Sequence, residues 1–144
     1  MSPWESVAGD GVSLSFSLDD VVRQGGTRSG KIVFSGSGGL GFIRQALDMS
    51  KITPSASYQS TGWIRTSDNT ECSTGYIICA WNTLAVAGSH MMPLTTAVNQ
   101  FQQISTLCTW SQSQYDAGGL YIYVGFLCGS SGEGWVDTVD FVAL

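Results

Sequence analysis

"GGLYIYVGFLCG", residues 118–129, is the longest apolar stretch of the chain, and reading it as helix or strand decides the fold. It is too short to cross a bilayer as a helix, which takes about 20 residues. As a strand its side chains alternate between two faces. Leu120, Ile122, Val124, Phe126 and Cys128 then form one wholly apolar face, suited to a core. Tyr121, Tyr123, Gly125 and Leu127 form the other.

The same short alternation recurs outward along the chain. Seven further segments carry it: "VSLSF" (12–16), "KIVFS" (31–35), "GFIRQALD" (41–48), "YQSTGWIRT" (58–66), "GYIICAWN" (75–82), "NQFQQISTL" (99–107) and "WVDTVDFVAL" (135–144). Glycine and serine clusters at 35–41 and 129–134 read as turns, because glycine tolerates positive φ. No segment keeps a 3.6-residue period, apart from a short turn expected in "LDDVVRQ" at 18–24, and no internal repeat is present. Regularly spaced short strands with turn signals predict an all-β sandwich. About eight antiparallel strands are expected, in one domain over residues 1–144.

Composition narrows the function classes. Only 12% of residues are charged and the net charge is −5. The six basic residues, Arg23, Arg28, Lys31, Arg44, Lys51 and Arg65, are scattered and form no stripe against a phosphate backbone. Nucleic acid and membrane are therefore not expected partners. Four cysteines, Cys72, Cys79, Cys108 and Cys128, form an even set without C-x-x-C spacing, beside a single histidine. That pattern favours two disulfides in a secreted, extracellular protein over a zinc site, with free buried thiols as the alternative. No signal peptide opens the sequence, so Met1 and Ser2 are expected to be either an added start or a processed end. Cys79 shares a face with Ile77 and Trp81, and Cys128 ends the apolar face of its own strand. The preferred pairing is Cys79 with Cys128 and Cys72 with Cys108, one of three that four cysteines allow.

Parity also sorts residues 58–65. Tyr58, Ser60, Gly62 and Ile64 share one face; Gln59, Thr61, Trp63 and Arg65 share the other. An amide and a guanidinium are costly to bury without partners, so the second face is expected to be half exposed.

Nothing in the sequence forms a catalytic pattern. Glu5, Glu71, Glu133 and the aspartates make no acid/base pair on one strand face, whereas glycoside hydrolysis needs two carboxylates about 5–10 Å apart. His90 stands alone in "AGSHMMP", read as a loop. "GSGGLG" resembles a nucleotide loop only in its glycines, and no helix pattern follows it. The chain is expected not to be an enzyme.

With the strands placed, their order resembles CenC-like carbohydrate-binding modules of families four, nine and twenty-two, over about residues 25–144. The resemblance rests on Ser29 and Gly30, the apolar strand Ile32 to Phe34, "Q-x-L" at Gln45 to Leu47, Pro54 with Tyr58, and Trp63. The closing "TVDFVAL" is similar to the family's "v-D-D-V-x-L" strand, with Asp140 on the first aspartate and Phe141 replacing the second. Cysteines near Cys79 and Cys128 resemble variants in secreted fungal proteins. The resemblance implies a galactose-binding-like jelly-roll β-sandwich that holds polysaccharide without cleaving it. It also implies a structural calcium beside Asp140, although the acidic residue of the family's first strand has no counterpart in "SPWES", which leaves one oxygen donor fewer. No other cofactor is expected. A sandwich without that edge strand would offer unpaired backbone groups to another chain, so homo-oligomers through edge pairing are expected.

Sugars present apolar C–H faces and hydroxyls, which flat aromatic rings flanked by planar polar groups can hold. Gln59, Thr61, Trp63 and Arg65 supply that chemistry, and Tyr121 and Tyr123 extend it if their strand lies on the same sheet. The structural alternative has Trp63 capping the core beneath a loop and the tyrosines stabilising strands by cross-strand contact. Trp81, Trp110 and Trp135 are not assigned, and Trp4 is expected to staple the terminus. Three functions remain: glycan binding, a self-assembling extracellular interaction protein, and a small jelly-roll enzyme acting on glycans.

Overall fold

The computed structural model describes residues 4–9, 11–36, 38–68, 70–82, 85–94, 98–129 and 131–144. Its strands, in chain order, are β1 (Glu5–Ala8), β2 (Val12–Asp19), β3 (Ser29–Gly36), β4 (Gly39–Ala46), β5 (Tyr58–Thr66), β6 (Cys72–Trp81), β7 (Ala85–Pro93), β8 (Gln102–Cys108), β9 (Tyr121–Cys128) and β10 (Gly132–Ala143). They form two five-stranded antiparallel sheets, β1-β4-β9-β6-β7 and β2-β3-β10-β5-β8, packed as a jelly-roll sandwich.

All eight expected segments are strands. β5 alternates without a fault, with Tyr58, Ser60, Gly62, Ile64 and Thr66 buried and the residues between them half-buried. Two strands and a helix were not expected: β1 forms from the "SPWES" stretch read as lacking an edge strand and pairs with β4, so the premise for edge-paired oligomers does not hold there. β7 contains "AGSHMMP", read as a loop because Gly88, Ser89 and His90 break any apolar alternation; it lies at a sheet edge, paired only with β6. The helix α1 (Gln112–Ala117) is too short to show a period and is fixed by a capping box between Ser111 and Gln114. No helix forms at 18–24, where the N–H groups of Val21 and Val22 bond to the Asp19 carboxylate instead.

The core lies between the sheets. Ile77, Ile122, Val124 and Phe126 come from the first sheet, and Ile32, Phe34, Ile64, Ile104 and Val136 from the second. Each such side chain contributes about 1.5–3 kcal/mol on burial. Trp110 closes one end, its Nε1 donating to the carbonyl of Ala80 at 3.2 Å. Gly134 is required on the inner face of β10, because a Cβ there would sit 2.3 Å from the Phe126 ring.

The disulfides differ from the preferred pairing. Cys72 bonds Cys128 and Cys79 bonds Cys108. Register is the reason: β6 and β9 place Cys72 opposite Cys128 and Cys79 opposite Ile122. Cys79 and Cys128 are thus six positions apart along the ladder, roughly 20 Å, far beyond bridging distance. Cys72–Cys128 locks two neighbours within the first sheet, whereas Cys79–Cys108 ties the first sheet to the second through β8.

Candidate functional site

The outward face of the second sheet carries Gln59, Thr61, Trp63 and Arg65, as parity places them. Register sets their neighbours. Arg65 lies beside Trp135, Trp63 between Asp137 and Gln103, Thr61 between Asp140 and Ser105, and Gln59 between Val142 and Leu107.

At the Arg65 end the face is already filled. The Arg65 guanidinium sits 5.5 Å from the Trp135 ring and 5.8 Å from the Phe101 ring, and it donates to Asn99 Oδ1 at 3.4 Å. Lys31 approaches Trp135 from the other side at 5.5 Å. Arg65 thus belongs to a ladder of alternating cations and rings, Lys31, Trp135, Arg65 and Phe101. Its Nε is buried without a hydrogen-bond partner among the described residues.

The segment 19–25 folds down beside this ladder. Trp135, 4% exposed, donates its Nε1 to Asp19 Oδ2 at 2.9 Å. Asp137 Oδ2 accepts from the backbone N–H groups of Gln24 (2.6 Å) and Gly25 (3.0 Å). The Asp19 carboxylate takes N–H donors from Val22, Trp135 and Val21, which lower its pKa from 3.8 to about 2. Its folded pKa is depressed, so the support it gives the segment is complete above pH 3.8 and fades as pH falls toward 2. Carboxyl NMR titration should place Asp19 near 2, and Trp135→Phe, which removes one donor, should raise that midpoint. An unchanged midpoint in the variant would show that the indole does not hold the carboxylate.

Beyond this segment the strip is uncommitted. Among the described residues, the side chains of Gln59, Thr61, Gln103 and Ser105 make no hydrogen bond to another side chain or to the backbone, and neither does the indole N–H of Trp63. The five tryptophans divide accordingly. Trp110 is core; Trp4 and Trp81 pack against the core; Trp135 is buried and bonded. Trp63 stays half-buried and belongs to neither apolar cluster. A cavity of about 430 Å³ lined by Gln59, Ser105, Leu107, Ser89 and His90 carries the strip over the sandwich edge to β7. Gln103 and Ser105 share the parity of Leu107 in "NQFQQISTL", so they were findable by the reasoning that found Trp63.

Tyr121 and Tyr123 do not extend this strip. Their strand, β9, is the centre of the other sheet, so they face the opposite side of the sandwich. There they join Phe42, Tyr76, Ile78 and Ala80 in a second apolar cluster. Tyr123 is 1% exposed and meets Phe42 edge to face at 5.9 Å. Arg44 donates Nη1 to the Tyr123 hydroxyl (3.1 Å) and Nε to Glu5 (3.0 Å), while its guanidinium lies 4.5 Å from the Tyr121 ring. The Tyr123 and Glu5 hydrogen bonds hold the Arg44 pKa above its ordinary value.

Asp140 is exposed on β10 opposite Thr61. No three His, Cys, Asp or Glu side chains come together to hold a metal among the described residues. A carboxylate-built calcium shell around Asp140, which would need six to eight oxygens, does not fit.

No protein-family model matches the sequence, and no curated protein matches it. Solved structures do. The C-terminal family 22 carbohydrate-binding module of a Clostridium thermocellum protein is 13% identical, with a TM-score of 0.65 over 97% of this chain and 84% of that one. An arabinose-bound α-L-arabinofuranosidase, MgGH51, is 14% identical with a TM-score of 0.66 over 97% of this chain, which spans only 23% of the enzyme. A Stig cyclase from Fischerella sp. TAU is 10% identical, with a TM-score of 0.65 over 98% of this chain and 84% of that one. Further carbohydrate-binding modules share the architecture. The chain shares with these structures a jelly-roll β-sandwich fold.

Proposed function

We propose that this is a non-catalytic, secreted glycan-binding domain whose ligand lies along β5, stacked on Trp63 and hydrogen-bonded by Gln59, Thr61, Gln103 and Ser105. One observation carries the reading. Trp63 is a half-buried tryptophan outside both apolar clusters, with an unengaged indole N–H, set in a row of unengaged planar and hydroxyl groups. A ring that is not needed for the core and polar groups that are not needed for each other are what a polyhydroxylated chain can use. The neighbours that are carbohydrate-binding modules support this class of ligand. The occupied state of Asp137, whose Oδ2 accepts from the backbone N–H groups of Gln24 and Gly25, supports the non-catalytic part of this reading. Two disulfides support secretion into an oxidising compartment.

A second reading places the ligand on the first sheet, across the half-buried rings of Tyr121 and Tyr76 with Arg44 and Tyr123 beneath. The run of four rings on one outward face, Phe42, Tyr76, Tyr123 and Tyr121, favours it. Tryptophan fluorescence titrated with xylan, β-glucan and a wider polysaccharide panel tests glycan binding itself. A saturable change with at least one polymer is expected, and a flat response throughout would remove the proposal.

A further inference from the structure

We infer that Asp140 sets the charge selectivity of the strip along β5, so that its glycan is neutral or amino-bearing and chains of uronic acids are turned away. This rests on the glycan reading of the strip and adds to it the chemical class of the ligand.

The five strands of the second sheet carry two cations, Lys31 and Arg65, against four carboxylates, Asp19, Glu133, Asp137 and Asp140. Five of these six groups are engaged within the fold. Lys31 and Glu133 lie 3.8 Å apart. Arg65 is held between the Trp135 and Phe101 rings, Asp19 accepts the indole N–H of Trp135, and Asp137 accepts the N–H groups of Gln24 and Gly25. Asp140 differs: among the described residues its carboxylate has no hydrogen bond and no ion pair. Lys51 lines the hollow on its far side without reaching ion-pair distance.

Its place on the face makes that charge count. Asp140 is paired with Thr61, and Thr61 on its other side with Ser105, so the three share the outward face. The next residue, Phe141, turns inward and stacks on Tyr58 at 5.0 Å. Trp63 lies one row along from Asp140, a diagonal of about 7–8 Å for side chains on one face. The other uncommitted groups, Gln59, Thr61, Gln103, Ser105 and the Trp63 indole, are all neutral. Among the described residues, Asp140 is thus the one uncommitted charge on the strip, in a chain of net charge −5.

Three kinds of sugar meet it differently. A neutral ring stacks on Trp63 and donates hydroxyls to the carboxylate, an acceptor only. An ammonium-bearing ring gains twice more, from opposite charge at Asp140 and from the indole face. A uronate sets a second carboxylate against the first, and a like charge built against the wrong ligand is a specificity device in its own right.

Three tetrasaccharides with one β-1,4-linked glucose backbone test this on the full chain by calorimetry at about pH 6. One is unmodified, one carries amines in place of its 2-hydroxyls, and one is oxidised to the uronate. At about 0.01 M salt the amine should bind tightest and the uronate weakest, at least about ten-fold apart. The gap should close to within about two-fold at 1 M salt, where screening acts over about 3 Å. Asp140→Asn should close it at low salt as well, and Asp140→Lys should reverse the order, each with the circular dichroism of the parent. Equal binding of the three at low salt would overturn the inference, as would an order that survives Asp140→Asn. Absence of binding by all three overturns it alone if another polysaccharide still changes the tryptophan fluorescence, and overturns the glycan reading with it if none does.

Discussion

Trp63→Ala should weaken glycan binding by roughly thirty-fold or more without unfolding the protein. A tryptophan at the centre of a contact surface typically accounts for about 2 kcal/mol or more, roughly thirty-fold in affinity. Loss on this scale is expected because, on the proposed reading, the indole would supply both the stacking face and an N–H donor, and alanine would supply neither. The fold should survive because Trp63 is outside both apolar clusters and its neighbours Asp137 and Gln103 do not hydrogen-bond to it. The variant should keep the far-ultraviolet circular dichroism of the parent and melt within a few degrees of it. Calorimetric titration with a polysaccharide that binds the parent is the readout. Tyr121→Ala is the necessary companion: on the opposite sheet, it should leave binding unchanged. Binding lost in Tyr121→Ala and kept in Trp63→Ala would transfer the site to the first sheet.

Removing Cys79–Cys108 should cost the protein several kcal/mol of stability. The bridge closes a sequence separation of 29 residues, for which chain entropy gives about 3–4 kcal/mol. It also joins β6 to β8, strands in different sheets, so its loss frees the sandwich to open along that side. Close packing there adds to the cost. Gly88 of β7 lies so near the backbone of Leu107 in β8 that a Cβ would sit 2.1 Å from the Leu107 carbonyl oxygen. Cys79→Ala combined with Cys108→Ala should lower Tm by roughly 10 °C at this chain length. Peptide mapping without reduction should recover Cys72 with Cys128 and Cys79 with Cys108. An unchanged Tm in the double variant would mean that the bridge does not hold the sheets together.

The parts that were legible in the sequence are local. The two faces of β5 and of β9 follow from residue parity alone, because strand geometry fixes which side chains share a side. That reasoning separates Trp63 from Ile64, and Tyr123 from Val124, before any fold is known. It cannot say which sheet a strand joins. Tyr121, Tyr123 and Trp63 therefore read as one candidate platform, and only the order β1-β4-β9-β6-β7 separates them. The disulfides failed for the same reason. Cys79 and Cys128 both point inward, but inward is a direction, and bridging depends on how β6 registers against β9. β7 escaped notice because an edge strand of glycine, serine and histidine needs only one neighbour and little apolar pattern. Least legible was the segment 19–25. Its place on the sheet depends on Asp137 accepting N–H groups more than a hundred residues away, a pairing with no local signature.

The surroundings of Arg65 were equally beyond the reach of the sequence. A lone arginine beside a tryptophan reads as a ligand donor, but Trp135 and Phe101 flank it in the folded chain. On the proposed reading, its contacts with Trp135 and Phe101 would help to hold the surface beside Trp63 in place. Binding surfaces held by such a scaffold lose less entropy when a ligand arrives.

The most direct measurement is an NMR map of amide and indole shifts on titration with an oligosaccharide from a polymer that binds. The account predicts that the Trp63 indole N–H moves most, together with Gln59, Thr61, Gln103 and Ser105 along β5 and β8, while β9 stays still. Shifts confined to Tyr76, Tyr121 and Arg44, with the Trp63 indole unmoved at saturation, would contradict it.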